Sequence, residues 1–205
     1  MVEIISVLTI TILAVISPGA DFAMITRNSY LYGRKAGLLA AIGISLGVLV
    51  HVAYTILGVS FIFSHSEYLF SILKVVGAIY LIYIGFKTFT TTPNVNIDMT
   101  AKKEVTLLNS LGNGFLTNAF NPKTMLFVIS TYTQIVDEKT STLMKITYGG
   151  FMSLSHWVWF SLVAIFFSNE VLRSVMLKKQ VMLNRTIGCV LMGLGGSLAF
   201  LPSIH

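Results

Sequence analysis

Two polar clusters interrupt long apolar runs in this chain, and their residue types define the chemistry open to it. The first is Ser17-Pro18-Gly19-Ala20-Asp21-Phe22; the second, about a hundred residues later, is Phe120-Asn121-Pro122-Lys123. Proline lacks a backbone donor and clashes with the preceding turn, so each cluster is expected to break or kink a helix. In lipid, freed backbone groups and charges are tolerated only where protein or a polar cavity receives them. Asp21 is the one acidic residue within an apolar run. A carboxylate at the bilayer centre costs about 2.5–3.5 kcal/mol on insertion scales, so Asp21 is expected to be paired, protonated or facing water. Two readings stand for it: a cap on the next helix segment, or a site for a cationic group, a proton, or each in turn. Beyond Pro122 a new half-helix is expected, whose free N–H groups favour an anion such as a carboxylate. Carbonyls freed at Pro18 and Gly19 suit an ammonium group. Lys123 reads either as a partner of Asp21 or of that carboxylate, or as a lysine snorkelling to an interface. With Pro18, Gly19 and Asp21 on one side and Asn121, Pro122 and Lys123 on the other, the pair suits a small zwitterion.

Two histidines accompany the breaks. Pro18 precedes His51 by 33 residues, and Pro122 precedes His156 by 34. Three roles are open for them: hydrogen bonding across helices, a proton relay with Asp21, and metal ligation with Asp21 as third ligand. The first is favoured over the last, and no metal or other cofactor is assigned. Arg27, Asn28 and Arg34 form a polar shoulder after the first run, explained by topology or by a cytoplasmic gate. The single cysteine, Cys189, leaves no disulfide and no cysteine-rich metal site. Nucleotide-binding loops, HExxH and serine-nucleophile motifs are absent from the sequence, which gives no support to ATP hydrolysis or the commoner enzyme chemistries.

The elements that position these residues follow from composition. Of 205 residues, 55% are hydrophobic and 11% charged, against roughly 25% charged in soluble domains; the mean hydropathy is +0.81. The class is an all-α integral membrane protein. A helix needs about 20 apolar residues to cross the bilayer, which places six spans at 4–25, 36–63, 68–89, 107–135, 143–167 and 183–200, the first and fourth broken. The first is expected to be a retained span, since Met1-Val2-Glu3 has no positive n-region. Gly43 and Gly47 have the GxxxG spacing of close helix contacts, which permits a homodimer. The net charge of +6 is spread between apolar runs and lacks a basic face, so no nucleic-acid partner is implied.

Ten Lys and Arg residues follow the odd-numbered spans and three follow the even-numbered ones or precede the first, with Lys123 set aside. That asymmetry puts the odd loops in the cytoplasm and both termini on the outer side of the cytoplasmic (inner) membrane. A polar stretch at 90–106 divides the chain into three-span halves, 1–89 and 107–205. Besides the break-to-histidine spacing, Lys74-Val75-Val76-Gly77 aligns with Arg185-Thr186-Ile187-Gly188 at an offset of 111, which also carries Gly85 onto Gly196. Three spans per half make the second half inverted, so the two breaks enter from opposite faces and meet near the midplane, the layout of secondary transporters.

These residues resemble a known family. Ser17-Pro18-Gly19-Ala20-Asp21-Phe22, with Arg27-Asn28-Ser29 and Gly33-Arg34-Lys35-Ala36-Gly37, resembles the first block of the LysE/RhtB-type amino-acid exporters. Asn121-Pro122-Lys123 resembles their second signature; Gly77, Tyr80, Leu81 and Gly85 are similar to their third-span pattern, and Leu183-Asn184-Arg185 with Gly188 to their final span. The family's first motif usually reads Pro-Gly-Pro-Asp, whereas here the third position is Ala20. The resemblance covers nearly the whole chain. It implies export of an amino acid or close derivative, driven by the proton-motive force and without a tightly bound cofactor. One embedded carboxylate set against Lys123 favours a neutral substrate over a basic one. Two rival readings are a divalent-cation exporter using Asp21, His51 and His156, and an intramembrane enzyme.

Overall fold

The computed structural model describes residues 2–91, 106–137 and 139–200, the side chains of some helical residues excepted. All regular structure among them is helical: α1 Val2–Ile16, α2 Ala20–His65, α3 Glu67–Thr90, α4 Leu107–Ala119, α5 Pro122–Gln134, α6 Thr142–Phe167 and α7 Glu170–Phe200. The linker expected at 90–106 lies almost wholly outside the described residues, with Lys102 and Lys103; so does Glu138.

Both proline clusters end one helix and start another. α1 stops at Ile16 and α2 starts at Ala20; α4 stops at Ala119 and α5 starts with Pro122, where its missing N–H is no loss. Asn121 caps α5, its Oδ1 accepting from the Lys123 N–H at 2.9 Å. A third interruption is Gly33, at φ 82 and ψ 177, a backbone conformation closed to residues with a Cβ. There α2 turns from one helix into another without a loop, so eight helices are present among the described residues.

Two stretches expected as loops are therefore helical. The polar shoulder from Arg27 to Lys35 lies on both arms of α2, and α7 begins at Glu170, well before the expected start at 183. Asn169 starts α7 early, its Oδ1 accepting from the N–H groups of Val171 and Leu172 at 3.0 and 3.2 Å. Arg and Lys are good helix formers; their charge excludes them from hydrocarbon but imposes no coil.

By length and apolar character, Ala20–Gly58 and Thr142–Phe167 suffice to cross a membrane. Val7, Ile10, Val48, Leu81, Val128, Met152 and Leu191 bring α1, α2, α3, α5, α6 and α7 into one central core. Large apolar side chains also point outward, among them Leu46, Leu57, Ile79, Phe86 and Leu162. So wide an apolar exterior is unusual on a soluble monomer, and a bilayer accepts it.

Glycine sets the closest helix approaches. A Cβ on Gly43 would stand 2.1 Å from the Leu111 carbonyl oxygen, and one on Gly47 2.8 Å from Asn118 Cβ. The expected GxxxG contact thus exists, but it grips α4 of the same chain, so that stripe is closed to a second copy. Gly77 faces Ser130 of α5, while Gly85 packs on Met192 and Gly188 of α7.

Candidate functional site: a polar chamber between two helix breaks

The two breaks meet, although about a hundred residues separate them in sequence. Asp21, in the first turn of α2, is 5% exposed. Its Oδ2 accepts from the side-chain amides of Asn118 and Asn121, both at 2.9 Å, with the Thr124 hydroxyl at 3.5 Å. Its Oδ1, equally buried, has no partner among the described residues, and neither has Asn118 Oδ1. Asp21 is therefore a bridge from α2 to the second break, and its carboxylate caps no N–H of its own helix.

Proline dictates which backbone groups are free. Pro18 has no N–H to give the Ala14 carbonyl four residues earlier, and Pro122 has none for Asn118. Each freed carbonyl is taken by a side chain from a distant part of the chain. The Lys123 ammonium donates to the Ala14 carbonyl at 3.2 Å and, more closely, to that of Ser17. His51 Nε2 donates to the Asn118 carbonyl at 2.8 Å, which also receives the Asn121 N–H at 2.8 Å. The Tyr54 hydroxyl completes His51 by bonding Nδ1. Lys123 thus bonds the end of α1, and of the readings open to it the direct bond to the Asp21 carboxylate is not made.

His156 differs from His51. Its Nδ1 donates to the Met152 carbonyl at 2.7 Å, leaving Nε2 as the lone-pair nitrogen. The ring lines a cavity of about 20 Å³ together with Ser17, Gly19, Asp21, Asn121, Lys123 and Thr124, walled by Phe22, Phe127 and Phe160. Since ~10–15 Å³ of such space holds one water, the chamber has room for little more than a water. An amino acid does not fit it in this form.

Of the six residues singled out at the breaks, Gly19, Asp21, Asn121 and Lys123 line one chamber, and Pro18 and Pro122 adjoin them in sequence. The ligand set Asp21, His51 and His156 is not assembled: both ring nitrogens of His51 are engaged, and no group of three His, Cys, Asp or Glu among the described residues is placed to hold a metal. Arg27 and Arg34 are exposed, and the buried Asn28 points its amide at Met24 Sδ, 3.3 Å away. None of the three lines the chamber. Sequence reasoning missed Asn118, Thr124 and the Ala14 carbonyl. Two of these had a signal, since Ala14 and Asn118 are the positions four residues before Pro18 and Pro122.

A helical protein with an apolar exterior, two broken helices and a charge at each break has the form of a membrane translocator. Sequence comparison gives that form its family: the chain matches the LysE type translocator family over residues 12–201. The protein belongs to this family and is a membrane protein. It is 27% identical over 206 residues to the uncharacterized membrane protein YrhP of Bacillus subtilis (strain 168), covering 95% of this chain and 97% of that one. The threonine efflux protein of Escherichia coli (strain K12) is 25% identical over 171 residues, 82% of this chain and 83% of its own. The leucine efflux protein of Salmonella choleraesuis (strain SC-B67) is 30% identical over 128 residues, 62% and 59% respectively. No solved structure matches the chain.

Proposed function

We propose that this protein exports a small neutral amino acid, or a close derivative, from the cytoplasm by alternating access coupled to the proton-motive force. The observation that carries this reading is the chamber itself, where freed carbonyls and a carboxylate from one break face amides and an ammonium from the other. Such a site offers acceptors to a substrate's ammonium and donors to its carboxylate. The threonine and leucine efflux proteins among the relatives agree with a neutral amino acid. Asp21 engages the substrate ammonium or the coupling proton through its unpartnered oxygen, while Asn121, Lys123 and the start of α5 hold the carboxylate. His156, whose ring lines the same chamber, serves with Asp21 in proton coupling.

Alternating access needs two repeats that rock about the site, and the contacts support an inverted pair. Asp21 bonds Asn118 and Asn121; Lys123 bonds positions 14 and 17, which lie 104 residues before them, the separation of Pro18 from Pro122. Each half thus reaches from the start of its second half-helix to the end of the other's first. The approach of Gly85 to Gly188 has a near counterpart in that of Gly195 to Ala78, as expected for two halves at an offset near 111. On this reading there are six spans, with α1 and the first arm of α2 forming the first and α4 and α5 the fourth. Arg27, Asn28 and Arg34 belong to the cytoplasmic gate. The protein lies in the cytoplasmic membrane with both termini outside, and a homodimer requires a face other than the Gly43–Gly47 stripe.

The test is efflux from proteoliposomes loaded with labelled amino acids, with and without an imposed pH gradient. Wild type is expected to release one neutral class in a gradient-dependent way, and Asp21→Asn to lose that dependence while remaining folded. Full gradient-driven flux in Asp21→Asn overturns the role given to the carboxylate, and absence of amino-acid flux in folded wild type overturns the function.

A further inference from the structure

The chamber already contains an ammonium group in the place built to receive one. The Ala14 carbonyl is vacant because Pro18 cannot bond it, and with the Ser17 carbonyl it forms a two-acceptor site at the negative end of α1. Lys123 fills that site from the opposite break. Its stem runs along Gly19, where a Cβ would lie 3.1 Å from Lys123 Cδ. With the lysine in place the chamber holds about 20 Å³, too little for an amino acid. Something must leave before a substrate enters, and the Lys123 side chain is the long, flexible group that lies over the acceptors.

We propose that the Lys123 ammonium is a tethered stand-in for the substrate's α-ammonium: it occupies the Ala14 and Ser17 carbonyls, and an arriving amino acid displaces it there and takes the freed lysine onto its carboxylate. The inference rests on the amino-acid reading above and names two subsites within it. Exchange of one ammonium for another leaves both carbonyls bonded, so opening the chamber strands no buried acceptor there. The displaced lysine then needs an anion, and the substrate carboxylate supplies it. Ligands must therefore bring both charges. A primary amine without a carboxylate would leave the released Lys123 only Asp21, whose Oδ2 is already held by Asn118 and Asn121, and an N-acylated amino acid has no cation to exchange.

The experiment uses the full chain, purified in detergent, as wild type, Lys123→Ala and Gly19→Ala. Binding of L-threonine, L-leucine and their carboxamides is measured by calorimetry, and stabilisation by ethylammonium from thermal melts. Wild type is expected to prefer the acids over the amides at least tenfold. Lys123→Ala is expected to lose that preference, to bind an amide at least tenfold more tightly than wild type does, and to rise in melting temperature with ethylammonium where wild type does not. Gly19→Ala keeps the charge but crowds the lysine stem, so it moves amide binding in the same direction and serves if Lys123→Ala does not fold. Amide and amine binding unchanged in both folded variants overturns the inference, even if wild type binds threonine or leucine well. Binding of ethylammonium to Lys123→Ala without binding of any amino acid to wild type keeps the ammonium subsite and overturns the amino-acid reading instead.

Discussion

His51 and His156 follow their proline breaks by 33 and 34 residues, yet their bonds assign them different work. His51 spends both ring nitrogens on protein partners, and one of these is the carbonyl that Pro122 leaves free. Replacing it with alanine leaves that carbonyl only the Asn121 N–H and takes the imidazole partner from the Tyr54 hydroxyl, a loss of buried hydrogen bonds worth about 0.5–1.5 kcal/mol each. A lower melting temperature for His51→Ala is therefore expected, beside weakened flux of every kind. His156 gives one nitrogen to its own helix, and its ring lines the chamber. His156→Gln is expected to hold the fold and still bind substrate, but to transport at the same rate with or without a pH gradient, as paired binding and flux measurements would show. A third residue separates this chain from its family's usual motif. Ala20 is exposed at the first position of α2, where proline's fixed φ is favourable and its missing N–H costs nothing. Ala20→Pro should raise stability by ~0.4–1 kcal/mol, read as a higher melting midpoint, with efflux retained. Asp21, Asn121 and Lys123 were legible in the sequence because a charge or an amide beside a proline stands out in an apolar run. The partners were harder to see. That Lys123 takes the carbonyl of Ala14 depends on two breaks folding together, and no local pattern records it.

Among the elements, α2 and α4 approach closely because glycine lines both. A Cβ on Gly114 would fall 2.1 Å from the Ala40 carbonyl oxygen, and one on Gly43 equally close to that of Leu111. Both obstacles are backbone, which cannot rotate away. Gly114→Ala and Gly43→Ala are each expected to destabilise by about 1–3 kcal/mol or more, and since α4 carries Asn118, both should disturb the Asp21 network. Gly150 in α6 is the internal control: nothing lies within 4 Å of its added Cβ, so Gly150→Ala should stabilise by up to ~1 kcal/mol through helix propensity alone. Thermal melts of the three variants would separate packing from propensity. These elements were visible in the sequence to differing degrees. The breaks were read correctly because proline acts on its own helix, within one turn. The helical stretches at 26–35 and 170–182 were read as loops because Arg and Lys mark the side of a membrane without marking the backbone state. Gly33 was quoted as part of a motif, but its positive φ is set by the direction in which the next helix must run.

For the whole molecule, the contacts at its two ends decide how the charge asymmetry is to be tested. At one end the Glu3 carboxylate accepts from the Thr140 hydroxyl at 3.0 Å and from the Asp137 N–H at 3.4 Å, so the start of α1 lies beside the turn between α5 and α6. Elsewhere the Asn184 amide donates to the Thr91 carbonyl at 3.0 Å, which ties the end of α3 to α7 next to Arg185. The basic residues Lys87, Lys178, Lys179 and Arg185 are exposed on α3 and α7, the two helices that this bond joins. Positive charge is retained on the cytoplasmic side, so the α3–α7 end should face inward and the end with Glu3 outward. Single cysteines at Val2 and Lys179, in a Cys189→Ser background, read this directly. An impermeant maleimide applied to intact spheroplasts is expected to label position 2 at once and position 179 only after permeabilisation. The opposite pattern would reverse the membrane orientation and turn the proposed gate at Arg27 and Arg34 outward. Labelling of both from one side would place the two ends on the same face, which six spans in inverted halves do not allow.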